Sequence, residues 1–410
     1  MEQPDPLPVV ADEPESRPGG VPLYVWVLLA VALAIPVGLY WQGAATRLNL
    51  LPSLIIRALS ALAAPLVVLA ILHAIVTNEI KGRQGGLMMV YYLINTLVAM
   101  GIGLVLSNLV QPGVGARLAD LGSTQATLPK KNVSDLLIEL IPRSVGDAFA
   151  QNNLAQLVLL TLALGIGLTK IRDEQAQRGE TSFRVVSDLL QVGFELLMRV
   201  LLWVVSLVPI AVFGVVASSV AQKEGIDVFK SLIWLIVVVI TGLAFQNVWY
   251  LAVMTVFARM SPVRFLRGAL DVMASTFSTA STAATIPVTL RALQEKLGVS
   301  RESSQLAACI GTNFNNDGTA LYQATAALFM AQSMGVSLGW VDQLVIVLTT
   351  LVASVGAGGI PSGSFVTLPL IFAAVGLPSD KIPVLLTIDW FLDRCRTTSN
   401  VLGDMTVAVL

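Results

Sequence analysis

Charge is scarce in this 410-residue chain: Asp, Glu, Lys and Arg together make up 12% of it, against about 25% in soluble domains. That excludes an ordinary water-exposed surface. The net charge is only −1, so no basic patch exists to recruit nucleic acid. Cysteine is nearly absent. The two present, Cys309 and Cys395, fall in predicted membrane helices and read as buried inert thiols, not a structural disulfide. The one histidine, His73, ends an apolar run and reads as a packed or hydrogen-bonded side chain, not a proton relay. Strict apolar/polar alternation is missing too, which excludes a membrane β-barrel. No basic stretch precedes the first apolar run, so residues 1–20, rich in Pro, Asp and Glu, read as a disordered tail and not a signal peptide.

What is present is apolar: 55% of residues are hydrophobic and the mean hydropathy is +0.78. Several runs reach the ~20 residues that span a bilayer. The pattern predicts spans near 22–41, 50–76, 86–111, 152–170, 187–220 and 230–258, the fifth and sixth long enough to be tilted or broken. Beyond Arg259 the pattern changes. Segments 262–295 and 340–374 carry small, polar, breaker-rich centres, Ser278–Pro287 (STASTAATIP) and Gly356–Ser364 (GAGGIPSGS). Each reads as a re-entrant hairpin with its tip inside protein, where non-helical backbone is tolerated. A spanning helix follows each one, near 303–334 and 378–408. The order hairpin–helix, hairpin–helix reads as an inverted repeat, the sequence mark of a midplane site in a secondary transporter. Twelve of the 25 basic residues lie in four short connections around 81–83, 170–184, 259–267 and 291–301. By the positive-inside rule these connections are cytoplasmic, as are both termini.

The last helix carries TIDWFLDRCRTTSNV followed by LGD. Helical spacing puts Asp389, Asp393, Arg396, Asn400 and Asp404 on one face. An ionisable group at bilayer depth costs ~2.5–3.5 kcal/mol on insertion scales, so a whole row implies a buried working site. Arg396 suits a carboxylate held bidentately and Asp393 an ammonium, which together describe a zwitterionic solute. Upstream, GTNFNNDGT (Gly311 to Thr319) would break a helix at Asn315, Asn316, Asp317 and Gly318. Unwound carbonyls and the Asp317 carboxylate are hard oxygen ligands that suit an alkali cation. On the third span, Asn95 and Thr96 place an amide and a hydroxyl inside the membrane.

At these residues the chain resembles the dicarboxylate/amino acid:cation symporters, the family of glutamate and aspartate transporters. NNDGT stands where the family has NMDGT; the GIP hairpin tip and DWFLDRCRTTSNVLGD are the other markers, the last being close to animal excitatory amino-acid transporters. The resemblance covers about residues 20–410. It implies an all-α polytopic fold of eight transmembrane helices and two re-entrant hairpins, working as an elevator in a homotrimer. The parts would be a scaffold at 21–85 and, after an extracellular loop, within 112–225, and a transport domain at 86–111 and 226–410. By motif position the substrate would touch Thr282, Thr319, Ile360, Ser364, Asp393, Arg396, Thr397 and Asn400. One sodium site would use Asp404 with carbonyls of Gly311, Asn315 and Asn400. A second would use carbonyls of Asn313, Ser354, Val355 and Ala357. A third would use Asp317, Asn315, Asn95, Thr96 and the Tyr92 carbonyl.

Some positions depart from the family. Asn316 replaces the motif's methionine, and Asn313 and Asn95 stand where threonine is usual, all beside cation sites. Ala280 replaces an arginine that archaeal members carry in the first hairpin tip, while Arg394 matches the animal arrangement associated with potassium counter-transport. Shortly after the NMDGT motif animal members have a glutamate that carries protons, and this chain has Gln323, which cannot titrate. The resulting expectation is a sodium-coupled importer of L-glutamate or L-aspartate in a prokaryotic inner membrane, needing no cofactor and catalysing no reaction. Potassium counter-transport is left to experiment. The alternative is a proton-coupled, neutral amino-acid or dicarboxylate carrier on the same fold. An intramembrane aspartyl protease built on Asp317 and Asp404 is disfavoured by the adjacent arginines and amides.

Overall fold

The computed structural model describes residues 23–77, 82–116, 141–151, 153–221, 225–356 and 363–410. The expected N-terminal tail, most of the expected 112–151 loop, and Ala357 and Ile360 of the second hairpin tip lie outside the described residues. Every element of regular structure within them is helical, the form in which a chain satisfies its own backbone in lipid. Among the described residues, five helical stretches are long and apolar enough to cross a membrane: Leu23–Tyr40, Gln42–Val76, Gly85–Val110, Phe183–Val220 and Phe229–Ala258.

Three long helices come first among the described residues: α1 (Leu23–Tyr40), α2 (Leu50–Thr77) and α3 (Gly82–Val110). They follow the expected spans within a few residues. Next come α4 (Leu154–Gln177), α5 (Phe183–Ser206) and α6 (Val208–Val220). The expected single span at 187–220 is therefore two helices. The interruption falls at Leu207, just before Pro209 in the first turn of α6, a place where the missing proline N–H costs nothing. α7 (Gly225–Val253) ends in a wide turn, Met254–Ala258, closed by Arg259 in the left-handed conformation (φ 52°).

The breaker-rich centres fall where helices stop. α8 (Pro262–Thr279) halts at Ala280, which adopts φ 54°, a conformation that costs an L-residue roughly 1–2 kcal/mol. After a turn, α9 (Ile286–Arg291) and the wide turn Ala292–Leu297 run back along α8. Their approach is close: a Cβ on Gly268 of α8 would stand 2.6 Å from Leu297 Cδ2. The second pair, α12 (Trp340–Gly356) and α13 (Ser364–Ala374), also packs leg against leg. Between the pairs lie α10 (Arg301–Phe314) and α11 (Asp317–Ser333), a helix broken at Asn315 and Asn316. The chain ends in one continuous helix, α14 (Pro383–Val409).

Packing sorts the helices. α1 lies on α6, and α2 on α4, α5 and α6. α3 lies on α11 and α7, and α14 is surrounded by α7, α8, α10 and α11. α14 is thus the helix with its polar row turned inward. Asp389, Arg396, Asn400 and Asp404 are all buried, and so is nearly the whole of its second half.

Candidate functional site

Among the described residues Arg396 is the largest fully buried side chain. Its Nη2 lies 2.8 Å from Asp389 Oδ1 and 2.7 Å from Asp393 Oδ1. Spacings of seven and three residues on α14 bring both carboxylates to the same guanidinium. The guanidinium carbon sits 4.1 Å from the ring centre of Tyr322 on α11, a cation–π contact that a desolvated pair strengthens. The Asp389 side chain is 5% exposed and that of Asp393 18%, so Asp393 is the accessible member of the pair. Arg396 Nε and Nη1 are buried and donate to nothing among the described residues.

The break between α10 and α11 meets α14 just beyond this cluster. Asn315 donates its amide to the Asn400 carbonyl (2.9 Å) and to Asp404 Oδ1 (2.7 Å). Its own Oδ1 is buried with no partner among the described residues. Asn400 Oδ1 accepts from the Gly318 backbone N–H at 2.8 Å, and its amide reaches Thr319 Oγ1 at 3.4 Å. Gly311 is obligatory here. A Cβ on it would stand 2.1 Å from Asp404 Oδ1 and 2.9 Å from the Tyr92 hydroxyl. The residues expected at the first cation site, Gly311, Asn315, Asn400 and Asp404, are therefore together. All contribute oxygen, the donor type an alkali cation takes.

A second knot surrounds Asp317. Its two oxygens accept hydroxyls from Thr96 on α3 and Tyr250 on α7, each at 2.6 Å. Thr96 also contacts the Tyr92 carbonyl at 2.8 Å. Asn95 faces α7: its Oδ1 accepts the Trp249 indole N–H at 3.0 Å and its carbonyl accepts the Gln246 amide at 3.2 Å. Of the residues expected at the third cation site, Tyr92, Thr96 and Asp317 converge directly. Asn95 is bound instead to Trp249, and the Asn315 amide to Asn400 and Asp404.

The remaining expected residues divide. Ser354 sits in the last turn of α12, where its carbonyl accepts the Asn316 amide at 2.9 Å. Asn313 is in the last turn of α10 and Val355 in that of α12. Thr282 and Ser364 are buried with hydroxyls that have no partner among the described residues, and Thr397 is buried beside Arg396 in sequence. Gln323 is hydrogen-bonded to Thr367 of α13. Arg394 points away from Arg396 and lies 5.4 Å from the ring centre of Tyr24 on α1. Sequence reasoning gave no role to Tyr250, Tyr322, Trp249 or Gln246. Gln246, Trp249 and Tyr250 lie within five residues of α7 and Tyr322 lies in α11, and only the fold shows their partners.

A many-helix membrane protein with an arginine–carboxylate cluster and buried oxygen knots at a helix break belongs to the class of solute carriers. The chain belongs to the sodium:dicarboxylate symporter family, whose sequence profile matches residues 23–410. It is similar to neutral amino acid transporter B(0) of Oryctolagus cuniculus, with 30% identity across 93% of this chain and 78% of that protein. It is also similar to excitatory amino acid transporter 3 of Mus musculus (27%, 92% and 83%). A third relative is the C4-dicarboxylate transport protein of Rhizobium leguminosarum (29%, 99% and 91%). These relatives are carriers, and the chain is a multi-pass membrane transporter of the symporter type, not an enzyme.

Proposed function

We propose that the chain imports acidic amino acids, L-aspartate or L-glutamate, coupled to sodium. The observation that carries this reading is the state of Arg396. A guanidinium clamps a carboxylate through donor pairs along one edge, and every such pair includes Nη2. In this structure Nη2 is held by two aspartates. An entering carboxylate takes Nη2 together with the unpartnered Nε or Nη1 and displaces the more accessible Asp393. The freed Asp393 carboxylate then faces the substrate's ammonium, while the buried Asp389 keeps Arg396 in place. The exchange needs both ends of an acidic amino acid. A dicarboxylate without an amino group leaves Asp393 unpaired, and a neutral amino acid leaves the clamp unused.

The hydroxyls of Thr282 and Ser364, which have no partner among the described residues, would complete the pocket with Thr319 of α11 and with Thr397 and Asn400 of α14. Sodium would bind at Asp404 with Asn315, Asn400 and Gly311, at Asp317 with Thr96, Asn315 and Tyr92, and at the carbonyls of Asn313, Ser354 and Val355. In support of a transport domain that moves against a scaffold, α3 packs on α7 and α11, and α14 on α7, α8, α10 and α11, while α2 packs on α4, α5 and α6; α2 and α4 also touch α12 and α13, the contacts across which such a movement would slide. A homotrimer in a prokaryotic inner membrane would fit this division. A second reading, a neutral amino-acid carrier, draws on the two aspartates that already neutralise Arg396.

The test is uptake of labelled L-aspartate into proteoliposomes, with sodium, potassium and proton gradients imposed separately and with serine and succinate as competitors. Sodium-driven uptake that neither competitor inhibits is expected. Arg396→Lys keeps the charge balance with Asp389 but loses the fork, so aspartate affinity should fall by roughly 30-fold or more. Aspartate affinity that survives this change, or uptake that serine blocks, overturns the acidic reading. A gain from internal potassium would give Arg394 a role in counter-transport.

A further inference from the structure

We infer that the Asn316 side chain takes the place of one cation in this chain, so that substrate movement is coupled to fewer sodium ions than in a chain with methionine there. The inference rests on the sodium-coupled reading above and concerns the second of its cation sites.

Asn316 is one of two non-helical residues between α10 and α11, with φ −122° and ψ 42°, and it is 4% exposed. Its backbone is anchored, because its carbonyl accepts the Ala320 N–H at 2.8 Å and so begins α11. Its side chain reaches out of the break to α12, where Nδ2 donates to the Ser354 carbonyl at 2.9 Å. That carbonyl lies in the last turn of a helix, where C=O groups have no intrahelical N–H. Ser354 is itself 3% exposed, so its oxygen needs a partner within the protein. Such an oxygen is a ready ligand for a hard cation. Here it already has a neutral one: an amide N–H, fixed in place by the chain.

Two consequences follow from the chemistry. The amide hydrogen points its partial positive charge into the space a cation would fill, so it satisfies the carbonyl and repels the ion. It also ties the end of α12 to the helix break without binding anything. A methionine side chain has no N–H to donate and would leave the Ser354 carbonyl free for a cation. Asparagine thus supplies permanently what a bound ion would supply only when present. Asp317, the next residue, stays on its own hydroxyl donors, so the effect is confined to one site.

The experiment measures sodium ions per substrate in proteoliposomes, from the membrane potential at which net aspartate flux vanishes under known gradients. It compares the full-length protein with Asn316→Met and Asn316→Asp. The aspartate oxygens accept where the amide donated, so both variants should reopen the Ser354 carbonyl. One further sodium ion per substrate is expected in each, with a steeper dependence of uptake on sodium concentration. As a readout independent of transport, sodium-induced thermal stabilisation of the purified protein should steepen likewise. Should Asn316→Met fail to fold, Asn316→Asp decides by the same count. A variant that loses thermal stability but keeps the wild-type sodium count overturns the inference and leaves the sodium-coupled reading standing. Wild-type uptake with no sodium dependence removes both.

Discussion

Single residues at the site act through the groups they allow to approach. Gly311 has no side chain, yet it decides whether Asp404 and Tyr92 can meet α10. Gly311→Ala would place a methyl 2.1 Å from Asp404 Oδ1, and a buried backbone–carboxylate contact has little room to relax. Gly311→Ala is expected to fold less stably and to lose sodium-induced thermal stabilisation. A variant that retains the wild-type sodium response would remove Asp404 from the proposed site. At this scale much was legible from sequence. The row Asp389, Asp393, Arg396, Asn400, Asp404 follows from helical spacing alone, and the structure buries four of the five. Less visible was how the row is used. Sequence spacing offers Asp393 to an ammonium, but the structure holds it and Asp389 on Arg396. A helix face shows which groups are neighbours; it does not show which of them pair before a ligand arrives.

At the scale of elements, the broken helix is the centre of the design. Asn315 and Asn316 leave the helical path, and their side chains and neighbours then reach α3, α7, α12 and α14. Sequence predicted this break well because three asparagines and an aspartate in an apolar segment have no reason to continue a helix. The family resemblance put Thr96 with Asp317, but nothing in the sequence predicted the second hydroxyl on Asp317, that of Tyr250. Thr96 lies 221 residues away and Tyr250 lies 67 away, and a lone tyrosine in α7 carries no mark of its partner. The division of 187–220 into α5 and α6 was half legible, since Pro209 is visible but a proline can also merely kink a helix. The Tyr250 hydroxyl joins α7 to the break. Tyr250→Phe should leave Asp317 with a single hydroxyl donor and cost about 1–3 kcal/mol, the usual penalty for a buried group deprived of a partner. Thermal unfolding of the purified protein measures it. A midpoint equal to wild type would mean that Tyr250 merely touches Asp317 and does not hold the helices together.

At the scale of the whole molecule, one face asks for a neighbour. Along α5, Val185, Leu189, Val192, Leu196 and Trp203 are 70%, 71%, 63%, 59% and 69% exposed. Their steps of four, three, four and seven residues form a heptad seam, with the exposed Arg199 at the one interrupted position. Apolar exposure on a membrane protein suits lipid equally well, since a helix packed on one side turns the same stripe outward. A seam that packs knobs into holes against another copy is what the proposed homotrimer needs, and α5 belongs to the group of helices assigned to the static scaffold. The sequence does not distinguish a copy from lipid, because hydropathy values both alike. Replacing Leu189, Leu196 and Trp203 together with alanine keeps the helix, since alanine is a strong helix former, and removes the knobs. Mass photometry of the detergent-solubilised protein at nanomolar dilution should then show single copies where the wild type shows three. If the triple variant keeps the wild-type mass, the seam faces lipid and any assembly of this carrier must use another surface.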